Sequence, residues 1–303
     1  MTLDYLIITG ERRSGTTMIA NFLNEQKGVT LFRDYLHIDT LMKRMGIGSL
    51  DQNLSENDNK VLIEEFGKDC DKLGMTLPFE KNHFSSLQEF YSYALESVSI
   101  SSDVIVGHKI TMAHEIIGDL LDTFPNIKTI FVIRDPRDMV VSAVKMFKNK
   151  NTYEYVDKWS SSYGYIMKCM KKPSMASRIT IIKYEDFVLN TQQKLLELKD
   201  FLGLSELSVP ETIKDYGKDW GHNSSFNKSQ KNQSIRTDSI GTWKKREYKT
   251  GRTAEALLSN ILIREGYQIS TSVKLIEKVR HLINFGAYRV KKFIKAIHHA
   301  LVS

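Results

Sequence analysis

A chain of 303 residues with 41% apolar and 26% charged residues is a folded globular protein of one large or two modest domains, not a disordered or collagen-like one. Much of the formal net charge of +7 lies near the C-terminus, so it says little about the main body, and no nucleic-acid partner is expected. Two distant cysteines, Cys70 and Cys169, exclude a disulfide scaffold and a structural zinc site.

The first apolar run, Tyr5–Thr9, has the length of a strand and reads as structure, not as a signal peptide. Three similar runs follow at Val104–Ile110, Thr129–Arg134 and Ile179–Tyr184. Short, nearly continuous apolar runs predict strands covered on both faces. Helical periods lie at Thr16–Glu25, Ala113–Thr123, Asp138–Lys148, Tyr153–Met170 and Thr191–Phe201. The alternation predicts an α/β fold, with a parallel sheet of four to five strands between layers of helices.

The stretch from His37 to Ser101 is polar, with helical periods at Asn59–Lys72 and Leu87–Val98. It reads as a helical insertion between the first two strands, a usual place for a lid over substrate. Ser208 to Thr250 is loop-like and rich in Ser, Asn and Lys, and a helix is predicted at Thr253–Glu265. Residues 1–270 are expected to form one domain and 271–303 a tail. The tail carries Ile276, Val279, Ile283, Val290, Ile294, Ile297 and Leu301 at helical spacing, interrupted around Gly286, opposite a lysine- and arginine-rich face. Such a helix either lies on an anionic membrane or closes the fold with a solvated basic face. No run reaches the roughly 18–20 apolar residues of a membrane span, and the two thiols fit a reducing compartment, so the chain is expected in the cytoplasm.

Two stretches carry chemistry. In "TGERRSGTT", Gly10 and Gly15 permit a tight turn, and Ser14, Thr16 and Thr17 bring hydroxyls to a helix start, where unpaired amides and the dipole favour phosphate. A Walker loop would place lysine after the second glycine; here Thr16 stands there and Arg13 projects from inside the loop. The turn suits a phosphate with an adjoining anionic group neutralised by arginine and not by a metal. In "FVIRDPRDMVVSAV", Arg134 ends a buried strand and Ser142 follows eight residues later in a helix. A guanidinium and a hydroxyl so placed converge above the carboxyl end of the sheet, where open α/β folds bind ligands. The alternative for Arg134 is an ion pair with Asp135 or Asp138.

Together these stretches resemble the sulfotransferase family that uses 3′-phosphoadenosine 5′-phosphosulfate (PAPS), whose core has the three-layer architecture of P-loop nucleotide-binding proteins. "RRSGTTMIANFL" is similar to that family's 5′-phosphosulfate loop, "FVIRDPRDMVVSAV" to its 3′-phosphate element, "IIKYEDFVLNTQQKLLELKDFLGL" to its later strand and helix, and "SIGTWKK" to its C-terminal nucleotide loop. The matches keep the family's order from Leu6 to about Tyr267; the insertion and basic tail lie outside them.

The resemblance implies sulfuryl transfer from PAPS to a hydroxyl-bearing acceptor, releasing 3′-phosphoadenosine 5′-phosphate (PAP) without a metal. A saccharide is the expected acceptor class, with a phenol as the other option. Arg13 takes the place of the family's loop base, and Lys109 matches its second lysine near the sulfuryl group. The family's general base is either a histidine two residues after that lysine, where this chain has Thr111, or a carboxylate after the first helix. "FRDYLH" puts Asp34 where tyrosylprotein-type relatives keep a glutamate, and Asp34 is therefore expected to be the base. His37, His108 and His114 are the reserves. Arg236 is expected near the 3′-phosphate and Ser224 or Ser225 near the donor, in a lid that includes Gly241. Trp243 is expected to anchor this lid in the core, and Glu185 and Asp186 to be structural. A P-loop kinase or a non-catalytic nucleotide- or membrane-binding module are the competing readings; the kinase lacks its loop lysine.

Overall fold

The computed structural model describes residues 3–33, 36–73, 81–99, 104–148, 151–209, 213–214, 232–233, 237–246, 248–270 and 275–302. In chain order the elements are β1 (Asp4–Gly10), α1 (Thr16–Asn24), β2 (Val29–Arg33), α2 (Ile38–Met45), α3 (Glu56–Leu73), α4 (Leu87–Ser97) and β3 (Ile105–Lys109). There follow α5 (His114–Thr123), β4 (Ile127–Ile133), α6 (Pro136–Phe147), α7 (Thr152–Cys169), α8 (Pro173–Ala176), β5 (Ile179–Lys183), α9 (Tyr184–Leu189) and α10 (Thr191–Leu202). The rest are β6 (Ile213–Lys214), β7 (Asn232–Gln233), α11 (Trp243–Arg246), α12 (Tyr248–Arg264) and α13 (Leu275–Val302). They form two compact units, Met1–Ile133 with Gly164–Ile235, and Arg134–Tyr163 with Arg236–Ser303.

The first unit is built on a five-stranded sheet of order β2-β3-β1-β4-β5 whose pairings are all parallel. One face buries Leu6, Ile8, Ile130 and Val132 against Phe22 and Leu23 of α1, Phe187 of α9 and Leu198 of α10. On the other face Tyr5 meets Phe124 edge-on, and Tyr91 of α4 packs on Phe124 and His108. Cover on both faces explains why β1 and β4 are nearly continuous apolar runs.

Four of the five strands coincide with the apolar runs, and the fifth, β2, escaped that criterion. It is an edge strand, so Val29 and Leu31 are buried while Thr30 and Phe32 are half-exposed, and its signal is alternation over too few residues to stand out. Its presence moves the insertion: α2, α3 and α4 lie between β2 and β3, not between the first two strands of the chain. Serine capping begins α4, where Ser86 Oγ accepts from the Glu89 amide at 3.2 Å and Glu89 accepts from the Ser85 amide at 2.7 Å.

The second unit is organised around a buried charge. Arg137 donates to Asp135 at 2.7 Å and to Glu255 at 2.5 Å, and its guanidinium lies 4.6 Å from the centre of the Trp243 ring. Trp243, 2% exposed, also stacks on Tyr248, so it does sit in a core as the sequence indicates. The stretch read as loop up to Thr250 thus contains α11 and the first turn of α12, which begins at Tyr248 and not at Thr253. Helix α13 runs unbroken through Gly286, contrary to the expected interruption, because a single helical glycine costs only about 1 kcal/mol.

Candidate active site

The glycine turn follows directly from β1. Gly10 has φ 153, and a Cβ on it would drive into the Val132 carbonyl oxygen and approach Ser14 Oγ to 2.9 Å. Gly15, at φ 101, is the N-cap of α1 and lies against the Tyr184 ring. Between them Arg13 holds φ 74, a left-handed conformation that costs a non-glycine residue roughly 1–2 kcal/mol. The Thr16 and Thr17 amides at the start of α1 precede the first helical bond, which Met18 makes to the Gly15 carbonyl at 3.0 Å, and that turn has no acidic residue to compete with a bound anion. Ser14 Oγ is buried with no hydrogen-bond partner among the described residues. A strained arginine, an orphaned hydroxyl and a helix N-terminus in one turn fit a terminal phosphate or sulfate. Gly10→Ala is expected to cost about 3 kcal/mol, lowering the thermal midpoint by roughly 5–10 °C; an unchanged melt would mean that the turn relaxes.

Lys109 ends β3 and is 2% exposed, so it is not a surface strand-end lysine. It shares its side of the strand with Ile105, which packs in the cluster containing α1, and it lies in register with Ile8 of that same cluster. This parity sets Lys109 on the face of the sheet that α1 covers. Its neighbour His108 belongs to the other face, fully buried, with Nε2 2.7 Å from the Tyr91 hydroxyl. The turn after β3 is tied to the glycine loop: the Met112 amide donates to the Gly10 carbonyl at 3.0 Å.

In the second unit, the start of α6 and the 239–243 turn come together. Arg134, 7% exposed, donates through Nη2 to the Ser239 carbonyl at 2.6 Å. Asp138 accepts from the Gly241 amide at 2.6 Å, the Thr242 hydroxyl at 2.9 Å and the Trp243 amide at 2.8 Å. The two stretches that resemble a 3′-phosphate element and a C-terminal nucleotide loop are therefore bonded to each other. Ser142 is half-buried in α6.

The model of the sulfotransferase family matches residues 6–208. The chain belongs to the sulfotransferase family. Two solved structures share its fold: a sulfotransferase domain from the curacin biosynthetic pathway (TM-score 0.56, 19% identity, 89% of this chain and 99% of that one) and one from the Synechococcus PCC 7002 olefin synthase (TM-score 0.56, 15% identity, 89% and 97%). No curated protein matches the chain.

Within this sulfotransferase, Asp34, Ser224, Ser225 and Arg236 lie outside the described residues. His37 is the N-cap of α2. His114 opens α5 with Nδ1 3.9 Å from Glu11 Oε1, and burial holds its imidazole below the ordinary histidine value. Glu185 and Asp186 fall in the first turn of α9, where acids complement the helix dipole, and no side chain caps that helix at Lys183. Sequence reasoning missed two supporting residues. Glu11, 5% exposed, sits in the glycine turn beside His114. Asp138, weighed only as an ion-pair partner for Arg134, instead fastens the 241–243 turn; its position four residues after Arg134 at a helix start was the available signal. Among the described residues no group of His, Cys, Asp and Glu could hold a metal ion.

Proposed function

We propose that this sulfotransferase moves the sulfuryl group of PAPS to a hydroxyl of a saccharide or glycoconjugate precursor. The glycine turn carries this reading, since a backbone strained at Arg13 beside the buried, unpartnered Ser14 hydroxyl fits the phosphosulfate arm of the donor. Gly15, Thr16 and Thr17 supply amides and hydroxyls to the same arm. Arg134 and Ser142 take the 3′-phosphate, with Arg236 and Ser225 completing the nucleotide site. Arg13 stabilises the negative charge on the departing bridging oxygen, and Lys109 steadies the sulfuryl oxygens. Asp34 accepts the proton of the acceptor hydroxyl, which requires its carboxyl to be raised by burial in the acceptor cleft. No step calls on a metal.

The enzyme acts in the cytoplasm on this reading, with its C-terminal helix in peripheral contact with a membrane and no nucleic-acid partner. Titration calorimetry with PAP, with and without a chelator, is expected to give the same binding heat; absence of heat overturns the reading. Labelled PAPS offered with saccharide, phenol and lipid-linked saccharide acceptors should label a saccharide, and label on a phenol alone would overturn the acceptor class. Asp34→Asn is expected to lower kcat by about 10²–10⁴ while donor affinity changes little. Full turnover in that variant would move the base role to a histidine.

A further inference from the structure

Helix α13 presents three distinct sides. One is docked: Tyr153 of α7 packs on Phe285 and Tyr288, and Asp157 accepts from Arg289 at 2.8 Å and Lys292 at 2.7 Å. Burial alone would push the Asp157 carboxyl up, yet these two cations hold it below its ordinary value. Arg289 and Lys292 are therefore spent on fastening the helix.

A second side is apolar and turned to solvent. At 3.6 residues per turn, Ile276, Val279, Ile283, Val290, Ile294 and Ile297 fall within an arc of about 60°. Leu275, Leu282 and Phe293 widen it to about 120°. Exposure reaches 81% at Ile276, 67% at Ile283 and 66% at Phe293. The helix of 28 residues is about 42 Å long. A stripe that wide and long is exceptional on a water-facing surface.

The third side, bordering the stripe, carries Arg280, Lys291 and Lys295. No aspartate or glutamate follows Glu277 in the chain. Glu277, the one acid of the helix, is taken by Arg252 at 3.1 Å, so two copies packed through this face would bring like charges together, and the stripe is wider than a coiled-coil seam. Among the described residues no helix is long and apolar enough to cross a membrane.

We infer that α13 lies in the plane of an anionic lipid surface, its isoleucine stripe in the acyl boundary and Arg280, Lys291 and Lys295 on the headgroups, while the Asp157 clamp keeps it presented. This rests on the membrane contact of the proposed function and not on its chemistry.

The test is co-sedimentation of the full-length protein with phosphatidylcholine vesicles, with and without phosphatidylserine. Binding is expected to be at least about tenfold greater with the anionic lipid and to weaken with salt. Lys291→Glu with Lys295→Glu should abolish that excess, as should Ile283→Glu with Ile294→Glu; all four side chains are exposed, so circular dichroism should be unchanged. Equal binding to both vesicles, binding to neither, or a wild-type dimer that the isoleucine variant dissociates overturns the inference. Vesicle binding is read without donor or acceptor, so failure of the sulfuryl-transfer chemistry would leave its outcome intact.

Discussion

Arg13→Gly is expected to lower kcat/KM by about 10³ while melting as a fold up to about 1 kcal/mol more stable than Arg13→Ala. The two effects come from one residue. Its φ of 74 is a conformation that glycine adopts without strain, so the substitution relieves the backbone, offset in part by the greater freedom of the unfolded chain. On the proposed function, the lost guanidinium removes the charge that would meet the bridging oxygen as it departs. Arg13→Ala keeps the strain and loses the charge, and should show the same kinetic defect at lower stability than the glycine variant. Arg13→Lys should recover part of the rate, since a point charge replaces a planar fork. Melts and transfer assays on the three proteins check this. A glycine variant that turns over normally removes Arg13 from the chemistry; one that melts no higher than the alanine variant shows that the turn is not strained.

Legibility of this fold in the sequence followed burial. Strands β1, β3 and β4 have neighbours on both edges and are buried almost throughout, and their apolar runs state as much; β5 is an edge strand like β2, but its ITIIK run opens with four β-branched residues. The edge strand β2 gave only a brief alternation. Helix α9 is six residues long and follows β5 without a linker, so a run ending at Tyr184 concealed it. Helix α12 starts with Tyr248, Lys249, Thr250 and Gly251, a turn without helix propensity that forms because Gly251 lies closely against Trp243. Tertiary packing overrode the local signal there.

Of the candidate site, the glycine turn was legible as a strand-to-helix turn, and its reading as a phosphate site came from pairing it with the Arg134 stretch. Lys109 was legible by position, but its burial was not, and only the register with Ile8 shows which face it shares. The ties that preset the site were invisible for a different reason: Asp138 reaches residues more than a hundred positions away, and no local pattern announces such a bond. The acceptor was not legible: the polar sequence of the helical insertion fixes helices without fixing what they recognise.

The second large effect concerns Lys109, and burial dictates how it must be tested. At 2% exposure the side chain fills core volume, so Lys109→Ala would remove methylenes as well as charge and cost about 2–5 kcal/mol by cavity formation. A slow alanine variant would then report a damaged fold as readily as a missing cation. Methionine keeps most of the stem and removes the ammonium, and burial of that ammonium is itself costly. Lys109→Met is therefore expected to melt above the alanine variant while kcat falls about 10²–10³, the range for losing one preorganised donor to a transition-state anion. If the lysine acts on the sulfuryl oxygens only as charge shifts, affinity for PAP, which lacks them, should stay within about threefold of wild type. Equal losses in PAP affinity and in kcat/KM would instead make Lys109 a ground-state contact to the nucleotide. Turnover within about tenfold of wild type would leave it a structural lysine at the end of β3.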